Sequence, residues 1–505
     1  PIYERDDYIA NFNPLLPDPN AAGLLGAVEY MGSGQGRTGK RSPAEGHWMD
    51  FGPTFGLAYR FLNNWVLRAG YGITYTPETI GWAMVPNGFV AGFAPTNSVV
   101  ENSKGLYRPV FNIDDGYPGQ LIPGNLDPSW GQTRGGTIIS PDYTKAGYVQ
   151  HFNFGFQVEP AKDLLIEVDW RASKGTRLHA GGNRSPNQIR SEELARGAVL
   201  GQVIDSPEAA AAAGLPYPYA GWSGPGWSTL VPFPQLTTRS LTAWGDPVGF
   251  STYHSGNLIV TKRMSRGVYV YGAYTFSKQI ANVNDVMGAG NTTGLQDVYN
   301  ASVYKSITPD DRTHRLKSSV MWELPVGRGR WLLGNAGPLA EALLGGWTVS
   351  AIINYTSGAP ISAPSALVRP VGWNGPAVYA NFTAPPGGFT SIFDPSKFNP
   401  WDRNDPGNRM FDPSVFSQPL PQQLGNSPVR FPTMRTPWNF SEDMSIAKRF
   451  RMLEGVNLQL RVELLNAFNR HYFSSPDMNM NNPYFGHIWQ ASGNRTGQAG
   501  LRIEW

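Results

Sequence analysis

The stretch from Val456 to Phe468 reads VNLQLRVELLNAF and alternates apolar and polar side chains. Because successive side chains of an extended strand point to opposite faces, this pattern predicts a strand with two unlike faces. The apolar face carries Val456, Leu458, Leu460, Val462, Leu464 and Phe468, and the polar face carries Asn457, Gln459, Arg461 and Glu463. The fold of the whole chain depends on whether such apolar faces meet a protein core or lipid.

The same alternation recurs along the chain and predicts a series of antiparallel hairpins with short turns. We expect about eleven spanning strands in total. Their approximate ranges are 51–61, 65–75, 152–158, 164–170, 252–262, 268–276, 316–322, 347–355, 438–450, 456–468 and 499–505. The hairpin turns alternate with connections of roughly seventy or eighty residues, far beyond the usual length. Short turns on one side and long loops on the other are typical of an outer-membrane β-barrel.

Composition excludes several classes of protein. The chain has 505 residues and no cysteine, which removes disulfide scaffolds, thiolate metal sites and cysteine nucleophiles. A net charge of +3 with dispersed basic residues gives no electrostatic case for nucleic-acid binding. Apolar runs stay shorter than the ~18 residues that a membrane helix needs. A transmembrane barrel is compatible with this composition, because its strands alternate and keep overall hydropathy modest.

Two segments between strands have helical features. The turn from Leu324 to Gly346 is predicted to carry a short helix at Pro338 to Leu344. The segment from Ser191 to Ile204 reads SEELARGAVLGQVI, and Ser191 is placed to cap a helix there.

The order of residues within each apolar face distinguishes a membrane from a core. A soluble β-sandwich also alternates, but it has no reason to sort aromatic residues to strand ends. Here Leu, Val, Ile and Ala fill the strand middles, while aromatic residues occupy the ends, as at Phe51, Phe61, Trp65, Tyr75, Trp170, Phe276, Trp347, Tyr355, Trp438, Phe450 and Phe468. Two aromatic girdles around an aliphatic band fit a bilayer. We therefore predict an all-β fold, an antiparallel transmembrane β-barrel with long extracellular loops and short periplasmic turns.

Several motifs suggest phosphate binding, metal binding or catalysis, but they are better explained as loop structure. Gly34 to Lys40, GQGRTGK, resembles a phosphate-binding loop, yet Arg41 stands where Ser or Thr should hold magnesium. The seven histidines form no pair at metal-ligand spacing, and neither GxSxG nor HExxH occurs. Acidic loop residues could bind calcium, but we expect them to be solvated instead; they are Asp310, Asp311 and the run from Asp402 to Asp405. We expect no enzyme activity, no cofactor and no metal centre.

Two sets of residues are candidates for recognition. Aromatic residues of the long loops could stack on a sugar or grip a peptide, or equally pack the loops together; they are Trp82, Trp130, Tyr217, Tyr219, Trp222, Trp227, Trp244 and Trp373. Charged residues of the polar faces are expected to line the lumen and to contact a plug or one another; they are Arg60, Arg68, Glu167, Asp169, Arg171, Arg461, Glu463, Arg502 and Glu504.

Separate blocks of sequence, in order, resemble the C-terminal barrel half of TonB-dependent outer-membrane transporters. The blocks are DFGPTFGLAYRF (Asp50 to Phe61), LRAGYGITYTP (Leu67 to Pro77), ASKGTRL (Ala172 to Leu178), STYHSGNLIVTKR (Ser251 to Arg263), YTFSK (Tyr274 to Lys278), DDRTHRLKSS (Asp310 to Ser319), LGGWTVSAI (Leu344 to Ile352), LRVELLNAFN (Leu460 to Asn469) and the terminal LRIEW. The chain is most similar to the Oar-like type, whose members usually carry a carboxypeptidase-regulatory-like domain. The resemblance implies a barrel of roughly 22 strands, a plug in its lumen and import driven by the TonB complex.

From the resemblance and the strand directions we expect a C-terminal part of such a barrel. Residues 1–50 would be an extracellular loop region continuing from an upstream barrel, and residues 51–505 would carry about the last eleven strands without the plug. The expected location is the outer membrane of a Gram-negative-type bacterium, with membrane lipid, the plug and the TonB complex as partners. The expected function is import of a nutrient, with peptide, glycan and metal chelate all open as substrate classes. The alternatives are a structural or adhesive outer-membrane protein without import, and an open porin.

Overall fold

The computed structural model describes residues 9–43, 45, 47, 49–76, 112, 114, 126–134, 136–139, 145–180, 185–236, 241–244, 246–282, 296–300, 304–373, 375, 377–453 and 455–505. Trp82 lies outside these residues. Among the described residues, no helix is long and apolar enough to cross a membrane.

Strands dominate the described chain. In chain order they are β1 (Ala10–Pro17), β2 (Leu25–Tyr30), β3 (Thr54–Leu62), β4 (Trp65–Tyr75), β5 (Gly136–Ile139), β6 (Tyr148–Ala161), β7 (Leu164–Ala180), β8 (Val203–Ile204), β9 (Gly224–Pro225), β10 (Leu241–Trp244), β11 (Asp246–Ser265), β12 (Val268–Ala281), β13 (Ser306–Ile307), β14 (His314–Glu323), β15 (Trp347–Thr356), β16 (Pro360–Ser362), β17 (Asn381–Phe382), β18 (Phe416–Ser417), β19 (Arg430–Arg435), β20 (Asn439–Leu453), β21 (Val456–Leu465), β22 (Tyr472–Phe473), β23 (Ala491–Ser492) and β24 (Thr496–Glu504). The α-helices are α1 (Gly131–Arg134), α2 (Pro207–Ala213) and α3 (Pro338–Leu344). Short 3-10 segments span Pro19–Ala21, Pro128–Trp130, Ser191–Gly201, Gly226–Thr229, Pro395–Lys397, Pro406–Asn408 and Pro413–Val415.

One antiparallel sheet of 12 strands organises the molecule. Its main path runs in chain order through β3, β4, β6, β7, β11, β12, β14, β15, β20, β21 and β24, and β13 pairs with the end of β12. The predicted eleven spanning strands are therefore confirmed, together with their hairpin pairing. Because every second connection is long, the sheet has one rim of short turns and one rim of long loops, called here the short-turn rim and the long-loop rim.

The strand register confirms the two faces. Leu460 lies opposite Lys448 on β20 and Leu501 on β24, and Val462 lies opposite Ile446 and Ala499. The apolar face is open: Leu501 is 63% exposed and Val462 is 45% exposed. A core-facing sheet would bury these side chains, so this face is built to contact lipid.

Aromatic rings form a band on the apolar face at the long-loop rim, from β12 to β20. The rings of His314 and Trp438 stack with centroids 5.6 Å apart, and Trp438 stacks on Phe440 at 5.8 Å. Phe276 lies 5.3 Å from His314, which carries the band back to β12. This is the aromatic girdle that the strand-end residues predicted.

The predicted helix at Pro338 to Leu344 is confirmed as α3. The predicted helix from Ser191 to Ile204 is wrong: Ser191–Gly201 is a 3-10 segment broken at Gly197, and residues 203–204 form β8. Ser191 is not its cap either. Arg190 occupies the capping position, and Ser191 Oγ instead donates to Asp297 Oδ2 at 3.0 Å.

The buried cores lie almost entirely outside the main sheet. Of the largest fully buried side chains among the described residues, Leu178 alone belongs to the sheet; the others are Phe12, Tyr30, Met31, Ile139, Ile189, Leu200, Ile204, Leu241, Met410, Phe411 and Met434. The long loops therefore fold as packed structure in their own right. The segment Gly34 to Lys40 is a closed loop after β2, with the Thr38 amide donating to the Tyr30 carbonyl at 2.9 Å.

Candidate functional site

A cluster of aromatic residues, called here the aromatic cap, joins the loops after β12, β15 and β21. Its buried members are Tyr304, Ile361, Ala363, Tyr379, Ala380, Phe389, Met410, Phe411, Phe416, Val429, Phe431, Met434, Phe485 and Ile488. Phe389 is its centre, with ring centroids 4.8 Å from Phe431, 5.5 Å from Phe411 and 5.6 Å from Phe416. Edge-to-face pairs of this kind add stability beyond area burial, so the cap is a defined structure.

Buried amide side chains tie the loops after β7, β12 and β15 together. Gln188 is fully buried and donates to the Gln296 carbonyl at 3.2 Å, while its oxygen accepts from the Val298 amide at 3.1 Å. Gln296 in turn donates to the Gly425 carbonyl and accepts from the Tyr379 amide. Because these hydrogen bonds of Gln188 and Gln296 join different loops, separation of the loops would leave their donors and acceptors unsatisfied.

A second apolar cluster packs the loop after β7 against the loop after β15. It contains Trp227 and Trp373 together with Ile189, Leu194, Leu200, Val231 and Val378. Gly372 has a φ of +80°, and a side chain there would meet the Trp227 ring at 2.3 Å. The close approach of backbone and indole explains why glycine is needed at this position.

A groove of about 750 Å³ lies between these two loops, within the size range of small-molecule sites. One wall is the 3-10 segment Ser191–Gly201 and the other is the stretch 421–424. Gln422 bridges the walls, since its amide donates to the Gly197 carbonyl at 3.1 Å. Gly197 adopts φ 66° and ψ −134°, which turns that carbonyl out of the segment.

The groove has a mixed lining, with Leu194 and Leu424 beside polar and small residues. Exposed Glu192, Ala195 and Ala198 lie on one wall, and Gln423 lies on the other. A carboxylate and an amide at the edge of an open groove can hydrogen-bond a polar ligand, and the alanines leave room for a flat one. Sequence reasoning missed these residues because no motif marks them, and the walls come from loops that are more than two hundred residues apart.

The structure places most loop aromatic candidates inside packed loops. Trp222, Trp227 and Trp373 are buried, and the Trp222 indole donates to the Pro234 carbonyl at 2.9 Å. Tyr217 packs edge-on against Trp222 at 6.4 Å. The half-buried Tyr219 packs against the cluster of Trp222, Trp130 packs against the cluster of Phe12 and Tyr30, and Trp244 lies in β10. The described members therefore form several separate clusters and do not converge on one stacking surface.

The charged candidates lie on the same face of the sheet, and six of the nine form ion pairs with one another. Arg171 makes a two-pronged pair with Asp169, at 2.9 and 3.0 Å, and Asn257 donates to the same carboxylate at 2.7 Å. Arg461 pairs with Glu463 on β21, and Arg502 pairs with Glu504 at 3.2 Å on β24. Arg60, Arg68 and Glu167 lie on the same face by register. The face thus carries separate groups of paired charges, one on β7 and β11 and the others on β21 and β24.

Aspartates followed by proline cap several 3-10 turns of the long loops. Asp394, Asp405 and Asp412 each accept a hydrogen bond from the amide two residues later. Hydrogen bonding lowers the pKa of all three carboxyls: from Ser396 to Asp394, from Asn399 and Gly407 to Asp405, and from Ser414 to Asp412. Burial raises the pKa of the Tyr304 and Tyr379 hydroxyls within the aromatic cap. The described residues contain no group of three or more His, Asp or Glu that could hold a metal.

The family model for an outer membrane beta barrel domain matches residues 1–498. The chain belongs to this family, and its place is the outer membrane. The search of curated proteins finds no match.

Solved structures with similarity to the chain include import receptors and transporters. They include the ferric-catecholate import receptor Fiu of E. coli K12, at 11% identity, with 95% of this chain and 40% of that chain covered and a TM-score of 0.34. The ferric citrate transporter FecA matches at 10% identity, with 90% and 38% covered and a TM-score of 0.35. The siderophore receptor PiuA of Acinetobacter baumannii matches at 10% identity, with 89% and 35% covered and a TM-score of 0.36. The chain therefore spans at most two fifths of the length of these structures.

Proposed function

We propose that the chain is part of an energy-coupled outer-membrane import receptor that recognises a nutrient with its long loops. The observation that carries the proposal is the groove between Ser191–Gly201 and the stretch 421–424, held open on a rigid support of packed loops. A preformed groove at the long-loop rim suits capture of a ligand from outside. In this proposal transport depends on the TonB complex and a plug, as the sequence resemblance to the Oar-like type implies.

The polar face supports the same function. In this proposal the ion pairs of Arg171 with Asp169 and of Arg461 with Glu463 line the lumen and contact the plug. The segment of residues 9–43 then belongs with the extracellular loops, because its β1–β2 hairpin packs against Leu236 and Leu241 of the loop after β7. No step of covalent catalysis is part of the proposal.

Import is tested with the full-length protein purified from its native outer membrane. Small molecules that co-purify are identified by mass spectrometry, and uptake of the identified compound is then measured in cells. The Ala198→Trp variant fills the groove and should abolish both binding and uptake, because the indole takes the space of the ligand. Ala212→Trp, at an exposed position of α2 outside the groove lining, is the matched control and should bind normally.

Dissipation of the proton-motive force separates import from adhesion. We expect a protonophore to stop uptake and leave binding at the cell surface intact. Binding without any internalisation, with or without the protonophore, would instead identify an adhesive protein. Ion conductance of the full-length protein in planar bilayers would identify an open porin.

A further inference from the structure

The turn between β14 and β15 leaves a group of large apolar side chains exposed at the short-turn rim. Leu339 is 75% exposed and Leu343 is 62% exposed on α3, and Trp331 in the preceding loop is 85% exposed. Leu332, Leu333 and Leu344 are exposed beside them. So many solvent-facing large apolar residues within one 23-residue connection are unusual for a surface in water.

Helix α3 is fixed to the apolar face of the main sheet, not to its polar face. The Trp347 indole donates to the Leu343 carbonyl at 3.1 Å. The Lys448 ammonium donates to the carbonyls of Glu341 and Gly345 at the end of the helix. Trp347 and Lys448 lie opposite each other in register, in the same row as Leu460. The helix therefore continues the surface that faces lipid.

The only described charges of the turn are held close to the backbone or to one another. Arg330 pairs with Glu323 at 3.0 Å, and Glu341 is turned inward, where its carboxylate accepts from the Arg328 amide. Lys448 places its stem along the apolar face, with its ammonium 5.0 Å from the Phe450 ring and 5.5 Å from the Trp347 ring. Lysine and tryptophan at this height mark the boundary between the hydrocarbon and the headgroups.

We propose that residues 331–344 form a membrane-surface foot, which inserts Trp331, Leu339 and Leu343 into the lipid leaflet at the short-turn rim. The occupant of this apolar surface is phospholipid, because the surface is continuous with the lipid-facing band of the barrel. A short amphipathic segment with tryptophan and leucine on one side and arginine nearby binds the interface in this way. The foot would hold the barrel at a fixed depth and tilt.

The 505 residues contain no cysteine, so an introduced cysteine is a unique label site within this part of the protein, and any cysteine elsewhere in the full-length protein is first replaced by serine. The full-length protein carrying Leu339→Cys or Leu343→Cys is labelled with bimane and reconstituted in vesicles of phosphatidylethanolamine and phosphatidylglycerol. Doxyl-labelled phosphatidylcholine serves as the lipid quencher and iodide as the aqueous quencher. Lys162→Cys, exposed in the β6–β7 turn at the same rim, is the matched control.

Lipid-borne doxyl groups should quench the label at Leu339 and Leu343 about threefold more than the label at Lys162, and iodide should show the reverse order. Labels at the leucines that respond like the label at Lys162 would overturn the proposal, because the turn would then lie in water. Labels shielded from both quenchers would also overturn it, because a protein would then cover the surface. If either leucine variant does not assemble, Trp331→Cys reports on the same surface with the same outcomes.

Discussion

The guanidinium of Arg435 lies 2.7 Å from the carboxylate of Asp311 and joins the loop after β15 to the loop after β12. Asp311 is 2% exposed and also accepts from the Gln279 amide at 2.6 Å, so the expectation of a solvated loop residue is wrong for Asp311. The Asp311→Asn variant removes the charge partner of a nearly buried cation and should lower the stability of the loops by about 3 kcal/mol. Urea titration followed by limited proteolysis of the long loops measures this loss. Asp310→Asn, at the exposed neighbouring position, should be nearly neutral, and equal effects at both positions would contradict the argument.

The aromatic cap should depend on Phe389. Replacing this central ring by alanine in Phe389→Ala leaves a cavity among Phe411, Phe416 and Phe431, and it should cost about 3 to 5 kcal/mol of cap stability. The prediction is checked by measuring the protease sensitivity of the loops as the temperature is raised. Trp401→Ala removes a larger ring that is 94% exposed and should change little. A comparable loss from both would mean that the cap is not a packed core.

Gly372 should be less replaceable than another glycine of the same loop. Both Gly372 and Gly387 have a positive φ, but a side chain at Gly387 would meet open space, whereas one at Gly372 would strike Trp227. Gly387→Ala thus reports the backbone cost alone, about 1 kcal/mol, and Gly372→Ala should cost about 1 to 3 kcal/mol more. The measurement is urea unfolding of the full-length protein with loop proteolysis. Equal losses would show that the indole moves aside freely.

Acid should loosen the long loops through the aspartate caps. The pKa values of Asp394, Asp405 and Asp412 are lowered in the folded loops by hydrogen bonds to the ionised carboxylates. Their stabilisation is therefore complete above the pKa of an unfolded carboxyl and is lost as the pH falls through the lowered pKa. Proteolysis of the loops at neutral and strongly acidic pH measures the change.

A triple variant with asparagine at the three cap positions provides the control for this pH effect. Asparagine keeps an oxygen that accepts the capping hydrogen bond, but it does not titrate. Its loops should lose less protection on acidification than those of the unsubstituted protein. The same acid sensitivity in both proteins would trace the effect to other groups.

A charged side chain at position 462, on the apolar face, should lower the stability of the protein in a membrane. This residue lies between Ile446 and Ala499, and Val462→Arg should cost about 2 to 4 kcal/mol in phospholipid vesicles. Gln459→Arg, on the polar face of the same strand, should have a mild effect because its side chain reaches water. Urea unfolding in vesicles compares the two. If both variants lose the same stability, the assignment of the faces is wrong.

The alternation of apolar and polar residues was sufficient to predict the strands of the main sheet and their pairing from the sequence. The alternation at Val456–Leu465 fixes which side chains share a face, and the short turn at Arg266 and Gly267 fixes the register of its hairpin. Helix α3 was also predictable, because Pro338 at the first turn and glycines after Leu344 delimit it locally.

The features that could not be predicted from the sequence depend on contacts between residues far apart in the chain. Ser191 has the local features of a helix cap, but its hydroxyl bonds Asp297 over a hundred residues away, and the predicted helix does not form. The groove depends on Gln422 meeting Gly197, two positions without any local signal. Lys448 occupies an apolar row, and only the nearby end of α3 explains a lysine there. Such tertiary contacts override propensity and cannot be deduced from periodicity.

The positions of the aromatic-cap residues in the sequence determine the order in which parts of this region fold. Its side chains come from Tyr304 to Ile488, so β14, β15, β20 and β21 all lie between its first and last members. Contacts of such long sequence separation form only after the intervening strands have found their register, because loop closure over that distance carries a large entropic cost. The members from Ile361 to Met434 belong to one loop, so only Tyr304, Phe485 and Ile488 join the cap after these strands have paired, and a stalled assembly intermediate would leave the remaining phenylalanines without these partners and open to chaperones and proteases.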